Sequence, residues 1–250
     1  MRKLMGVELT KMRYYRVVWG VAVFALGVSG AMGLNKKYDE VIAYYPFMEY
    51  IVFFYATCRY FSILTILVTA YVINEDYSMR TVQNVLSVGV DKVKYYLSRL
   101  FSQMLFVTCL YLLSFMVYVA VRILSQGRVV TAMSFGALAG VFLMMTLQLM
   151  AYVAVASTVS VFCRNQAVAM ITGEIWLFLA ILFYAYKESG AGFWGFMDFE
   201  PLMVMQKVDV WGTPGVVYTL GYFKYMVSAV ILTAAAAAVG YLRFVRSDLR

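Results

Sequence analysis

Histidine is missing from the chain, and that absence removes more chemistry than any other feature of the sequence. Without an imidazole there is no His-based triad, no histidine metal site and no Cys–His dyad. Cysteine is scarce. Cys58, Cys109 and Cys163 stand in or at the ends of apolar runs and form no CxxC pair, which points to core packing, not disulfides or metal ligation. No Gly-Lys dipeptide occurs, so the chain has no Walker A phosphate loop, and any ATP-driven work needs a second polypeptide. Proline appears three times, at Pro46, Pro201 and Pro214, always outside the long apolar runs. Charged residues make up 14% of the chain, where a soluble domain carries about 25%.

What is present is apolar. Hydrophobic residues reach 64% and the mean hydropathy is +0.78. A spanning helix needs about 20 apolar residues, whereas barrel strands are alternating segments of about 10. The runs here are long and unalternated, so the expected fold is an all-α integral membrane protein. Six transmembrane helices are expected, at 17–34, 50–73, 100–121, 135–162, 167–184 and 222–241. One domain accounts for 1–250: an amphipathic interfacial helix at 1–16, the six-span bundle at 17–241 and a tail at 242–250. No internal repeat or low-complexity linker interrupts it. The net charge of +8 reads as anchoring beside anionic lipid and not as a nucleic-acid surface.

Residues 1–16 carry Arg2, Lys3, Lys11, Arg13 and Arg16, with Met5, Leu9 and Met12 on one helical stripe. That pattern suits a helix lying at the membrane surface. A signal peptide competes, since Val28-Ser29-Gly30-Ala31 imitates a cleavage site, but the polar leader is long and five more apolar runs follow. Six spans put both termini on one side. Thirteen lysines and arginines fall on that side and seven on the other, which places the termini and the insertion at 74–100 in the cytoplasm. Arg122 and Arg128 run against the bias.

On the outer side, Tyr44, Tyr45, Phe47 and Tyr50 read as an aromatic belt. The outer segment 185–221 holds no long span and is rich in Phe, Trp and Met. A short re-entrant or interfacial helix before the sixth span is expected there. Asp198, Glu200 and Asp209 in this segment read as a solvated rim, with contact to a cationic substrate as the alternative. Gly27, Gly30, Gly33, Gly136, Gly140 and the alanines at 234–238 offer close helix contacts, although small residues are common in any span.

The stretch Asn74 to Leu100 is the longest polar insertion between two strongly apolar runs. Ser78 is a candidate cap for a short helix with Met79, Val82, Val85 and Leu86 at helical spacing. Gly89 suits its stop, and Asp91 suits the cap of a second helix that enters the third span. Arg80, Gln83 and Asn84 beside those apolar residues give anchors with a polar rim, the make-up of a small docking surface. Rest on the membrane surface is the competing reading.

Two ionisable residues fall inside spans. Arg59 lies nine residues below Tyr50 and Glu174 ten below Tyr184, which puts both about 13–15 Å under the outer boundary at 1.5 Å per residue. Each costs roughly 2.5–3.5 kcal/mol at the centre of a lone helix, so they are expected to face a translocation path or to pair. The alternative is an Arg59 that snorkels outward and a Glu174 bonded to a hydroxyl such as Thr172. Glu49, Glu75 and Asp76 lie at span ends, where a charge needs no partner.

With these residues in view, the chain resembles an ABC-2 type permease. The most specific likeness is Glu75 at the end of the second span, then Arg80-Thr81-Val82-Gln83-Asn84-Val85-Leu86-Ser87, then Gly89, then the basic segment Lys92 to Arg99. Phe244-Val245-Arg246-Ser247-Asp248-Leu249 resembles the family's Phe…Arg-Asp-Leu ending with Ser247 inserted. Met79 departs from the glycine common in the family at that place. The aromatic- and Met-rich spans look most like permeases of bacterial peptide, lantibiotic and phenol-soluble-modulin exporters.

The resemblance implies two such permeases, a second copy or a paralogue, working with ABC ATP-binding subunits in a bacterial cell membrane. Glu75, Ser78, Met79, Arg80, Thr81, Val82, Gln83, Asn84, Leu86 and Ser87 would form the coupling site, and the second and fifth spans, carrying Arg59 and Glu174, would face the dimer cavity. No cofactor is expected on this chain; ATP and magnesium belong to the partner. The substrate is expected to be amphipathic, since the walls are apolar and aromatic, with a peptide as the first choice and a lipid-like drug or antibiotic as the second. A stand-alone carrier or channel is the runner-up, but such proteins tend to have broken helices near the midplane. A membrane enzyme would need a polar constellation that the sequence does not offer.

Overall fold

The structure, a computed structural model, describes residues 2–34, 48–126, 135–188, 201, 204 and 220–246. Eight helices make up the described elements, with no strand among the described residues. They are α1 (Arg2–Tyr14), α2 (Arg16–Leu34), α3 (Met48–Ser78), α4 (Thr81–Ser87), α5 (Lys92–Gln126), α6 (Phe135–Cys163), α7 (Gln166–Glu188) and α8 (Leu220–Arg246). Four stretches, Arg16–Leu34, Lys92–Ser125, Leu138–Cys163 and Phe223–Arg246, are long and apolar enough to cross a membrane; α3 and α7 run alongside them. The chain is therefore an all-α membrane protein. Most of the aromatic belt at 44–50 and of the outer segment 185–221 lies outside the described residues. Within that segment Pro201 and Val204 are helical and buried.

α6 is the central helix. It packs most extensively against α8 and α3, and also against α5 and α7. Two polar side chains of α6 bond to backbone carbonyls of α8: Gln148 Nε2 donates to Tyr225 O at 3.1 Å and Thr158 Oγ1 to Ala236 O at 2.7 Å. In hydrocarbon, where apolar surface gives no preference for helix over lipid, such bonds and close packing hold helices together. Gly240 permits the approach. A Cβ there would strike the Tyr96 hydroxyl and lie 2.7 Å from Thr158 Oγ1. Gly33 does the same for α2 against α5, where a Cβ would sit 2.9 Å from Val121, and Gly173 for α7 against Ile66 of α3. Of the expected small-residue contacts, Gly33 is a true close approach, whereas Gly27 faces open space.

The half of the bundle farthest from α4 is filled with rings. Phe53, Phe54 and Phe61 of α3 pack with Tyr111 and Phe115 of α5, and Phe142 of α6 stacks on Tyr111 at 5.5 Å. Such pairs add roughly 0.5–1.5 kcal/mol each beyond their buried area. Cys109 corrects the expectation of cysteines in the core: it lies exposed on α5, and Cys163 is only half-buried. The side chain of Cys58 lies outside the described residues.

α5 is 35 residues long, about 52 Å at 1.5 Å per residue, against a hydrocarbon core of about 30 Å. It therefore projects beyond the apolar layer. Its first turns sit beside the last turns of α3 and α8, where Lys92 Nζ donates to Val245 O at 3.3 Å. The starts of α2 and α7, the ends of α3, α6 and α8, and α4 itself all meet at this end of the bundle.

Candidate functional site

The turn from α3 into α4 sets the site. α3 ends at Ser78, whose hydroxyl donates to Glu75 O at 2.8 Å. The expected Ser78 cap is thus corrected: Ser78 closes the preceding helix, Met79 lies in the turn, and α4 begins at Thr81. Its N-cap is Arg80, with φ +55° and no capping side chain. A non-glycine residue in this left-handed region costs about 1–2 kcal/mol. Arg164, between α6 and α7, has φ +48°, and these two are the non-glycine residues of positive φ among the described residues. Gly89 does end the helix as its type predicts, at φ +87°. Asp91 Oδ1 accepts from Val93 N at 2.8 Å, the expected cap of α5.

α4 is fixed by one face and open on the other. Val82 is fully buried, and Thr81, Gln83, Val85 and Leu86 are half-buried. Arg80, Asn84 and Ser87 are exposed, flanked by Met79 at 61% exposure and Val88 at 83%. Two exposed apolar side chains beside polar ones, at the tip of a bundle, leave a contact surface that the described residues do not cover.

Behind α4 lies a charged core. Asp76 is 1% exposed and Arg99 4%. Arg99 Nη2 stands 3.3 Å from Asp76 Oδ2, close enough for strong Coulomb attraction though not aligned as a hydrogen bond. The Arg99 guanidinium also donates to Ile73 O and lies 5.4 Å from the centre of the Tyr77 ring. α1 joins from the side: Lys11 Nζ reaches Asp76 Oδ1 at 3.4 Å and Glu8 Oε1 at 2.8 Å, and Tyr15 donates to Asp76 Oδ1 at 3.2 Å. Burial, then the Asp76 carboxylate, push the Tyr15 hydroxyl well above its ordinary value of 10, so it stays a neutral donor.

Glu8, Lys11, Asp76 and Arg99 thus form a neutral tetrad of two acids and two bases. It ties α1, α3 and α5 together directly behind the turn that carries α4. Asp76 corrects the expectation that a carboxylate at this span end needs no partner. Glu75, its neighbour, is half-exposed and presents only its carbonyl to the turn. Met12 and Glu8 of α1 are buried, Met12 in a cluster with Val68 and Val72 of α3. Sequence order hid the tetrad because its members come from three helices.

Gly173 packs on Ile66, so Glu174 lies level with a point about seven residues, or about 10 Å, from Arg59 along α3. Counting from Tyr50 and Tyr184 puts the two at equal depth; the glycine contact between α7 and α3 offsets them along the helix axes. Glu174 Oε1 is buried without a hydrogen-bond partner among the described residues, and Thr172 instead donates to Val168 O at 2.8 Å. Arg59 lies on the exposed side of α3. Beside Glu174, an apolar groove of about 220 Å³ runs between α3, α6 and α7, lined by Ile66, Tyr152, Val155, Trp176 and Leu179. The outward face of α7 carries Val168, Ile171, Ile175, Phe178 and Leu182, all exposed.

The described residues form an all-helical membrane bundle in which a short, partly uncovered helix sits over a buried ion network. The chain belongs to the ABC-2 family: the sequence model described as ABC-2 family transporter protein matches residues 4–182, from α1 through most of α7. It is a membrane subunit of an ABC transporter. No curated protein matches it.

Proposed function

We propose that this chain is the permease of an exporter driven by a separate ATP-binding subunit that docks on α4. The observation that carries the reading is the open face of α4, with Met79, Arg80, Asn84, Ser87 and Val88 exposed while Val82 anchors the helix to the bundle. Motion of α4 passes through the Asp76–Arg99 link into α3 and α5. In this reading α3 and α7 are the second and fifth of six spans and the α4 end faces the cytoplasm of a bacterial cell, as the basic residues favour. ATP and magnesium sit on the partner.

A second copy or a paralogue of the chain packs against the apolar face of α7, and the path between the two copies takes amphipathic peptides. The apolar groove beside α7 supports that substrate class, and Arg59 and Glu174 are the charged groups expected along the path. Lipid covers the remaining exposed apolar faces.

The test is purification of the full chain in mild detergent. An ATP-binding subunit should co-purify with the wild type and be lost when Arg80, Asn84 and Leu86 are replaced together. Retention of the ATPase by that triple variant contradicts docking on α4.

A further inference from the structure

A cavity of about 340 Å³ opens between the end of α3, α4 and the α6–α7 turn. Its lining includes Arg80 and Arg164, with the side-chain amides of Gln83, Asn165 and Gln166 beside them and no carboxylate among the lining residues. Both arginines are exposed. Both also occupy the left-handed backbone region in which glycine is the usual residue at a helix end. Glycine would serve each turn better, so the turns themselves give no reason for arginine. The cavity's chemistry does: two guanidinium forks with amide donors make a receptor for a planar, doubly accepting anion.

Tyr77 forms the floor. Arg164 lies 6.0 Å from its ring centre, on a ring already contacted by Arg99. Burial raises the Tyr77 hydroxyl above its ordinary value, so it adds no negative charge to the cavity. The buried pair Asp76–Arg99 is neutral as a unit, and Asp76 does not line the space. Among the described residues no carboxylate lines the cavity to balance the two cations.

We infer that this cleft takes an aspartate or glutamate side chain of the ATP-binding partner, making the α6–α7 turn a second docking point beside α4. The inference rests on the docking of an ATPase at α4 proposed above. A protein carboxylate is favoured over a lipid headgroup because the cavity wall is α4 itself, and Met79 and Val88 flank it in the open. A partner seated on those side chains covers the mouth of the cavity. Arg164 thereby becomes a specificity residue: it would reject a partner that offers lysine or an apolar residue at that place.

The experiment uses the full chain in nanodiscs and the ATP-binding subunit that co-purifies with it, with affinity measured at low and high salt. The variants are Arg164→Gly, Arg164→Glu and the separate α4 variant Met79→Asp. Glycine suits the backbone at 164, so Arg164→Gly keeps or raises thermal stability while it removes the guanidinium. Weakening of ATPase binding by about tenfold or more in Arg164→Gly, further loss in Arg164→Glu and a shallower salt dependence in both bear the inference out. Unchanged affinity in both Arg164 variants, with binding lost in Met79→Asp, overturns the cleft but leaves α4 docking intact. Unchanged ATPase affinity with loss of co-purified anionic lipid assigns the cleft to a headgroup and overturns the inference as well. Indifference of binding to all three variants, or no ATPase at all, overturns both readings together.

Discussion

Arg99 Nη2 lies 3.3 Å from Asp76 Oδ2, so the last turns of α3 and the first turns of α5 are joined by charge across the seven-residue helix between them. Breaking a buried pair by removing one partner costs about 3–5 kcal/mol, because the other charge is left buried. Asp76→Ala and Arg99→Ala are each expected to lower thermal stability in detergent by an amount of that order. The double variant should lose much less than the sum, giving a positive coupling in a double-mutant cycle. Lys11→Met leaves Arg99 facing Asp76 but strands the buried Glu8, so it too should lower thermal stability.

The α6–α8 seam should be intolerant of a single methyl. Gly240→Ala places a Cβ against the Tyr96 hydroxyl and 2.7 Å from Thr158 Oγ1, and overpacking of this kind costs about 1–3 kcal/mol. Gly27→Ala is the control. Open space surrounds that position, so alanine should be neutral or slightly stabilising, by up to about 1 kcal/mol. A thermal denaturation series in one detergent checks both.

Gly173 packs on Ile66, seven residues along α3 from Arg59, and charge exchange between Arg59 and Glu174 should not restore function. Arg59→Glu combined with Glu174→Arg is expected to be at least as impaired in ATP-driven transport as the worse single variant. Stability changes should add to within about 0.3–0.5 kcal/mol, as for groups more than 7–10 Å apart. Rescue by the double exchange would place the two side chains in contact in another state of the transport cycle.

Much of the fold is legible in the sequence because bilayer thickness and helical rise leave little freedom in where a long apolar run goes. The Gly89 stop and the Asp91 cap are legible for a similar reason: each is settled within two residues by backbone chemistry. The Ser78 cap fails because a serine near a helix boundary serves either helix equally well, and here the carbonyl of Glu75 wins. The tetrad of Glu8, Lys11, Asp76 and Arg99 is harder, since only packing brings α1, α3 and α5 together. One signal for it was present: Asp76 and Arg99, of opposite charge, stand at the two ends of the insertion, each within three residues of a span. For Arg59 and Glu174, counting from the span ends does not see the glycine contact that offsets α7 on α3.

The central claim is that this bundle moves substrate only when an ATP-hydrolysing partner acts on α4. The most direct measurement is efflux of a dye-labelled amphipathic peptide from vesicles holding the full chain, with and without the co-purified ATP-binding subunit and Mg-ATP. The account predicts flux only when chain, partner and Mg-ATP are all present, and its loss when Arg80, Asn84 and Leu86 are replaced. Equal flux from vesicles that hold the chain alone would contradict it.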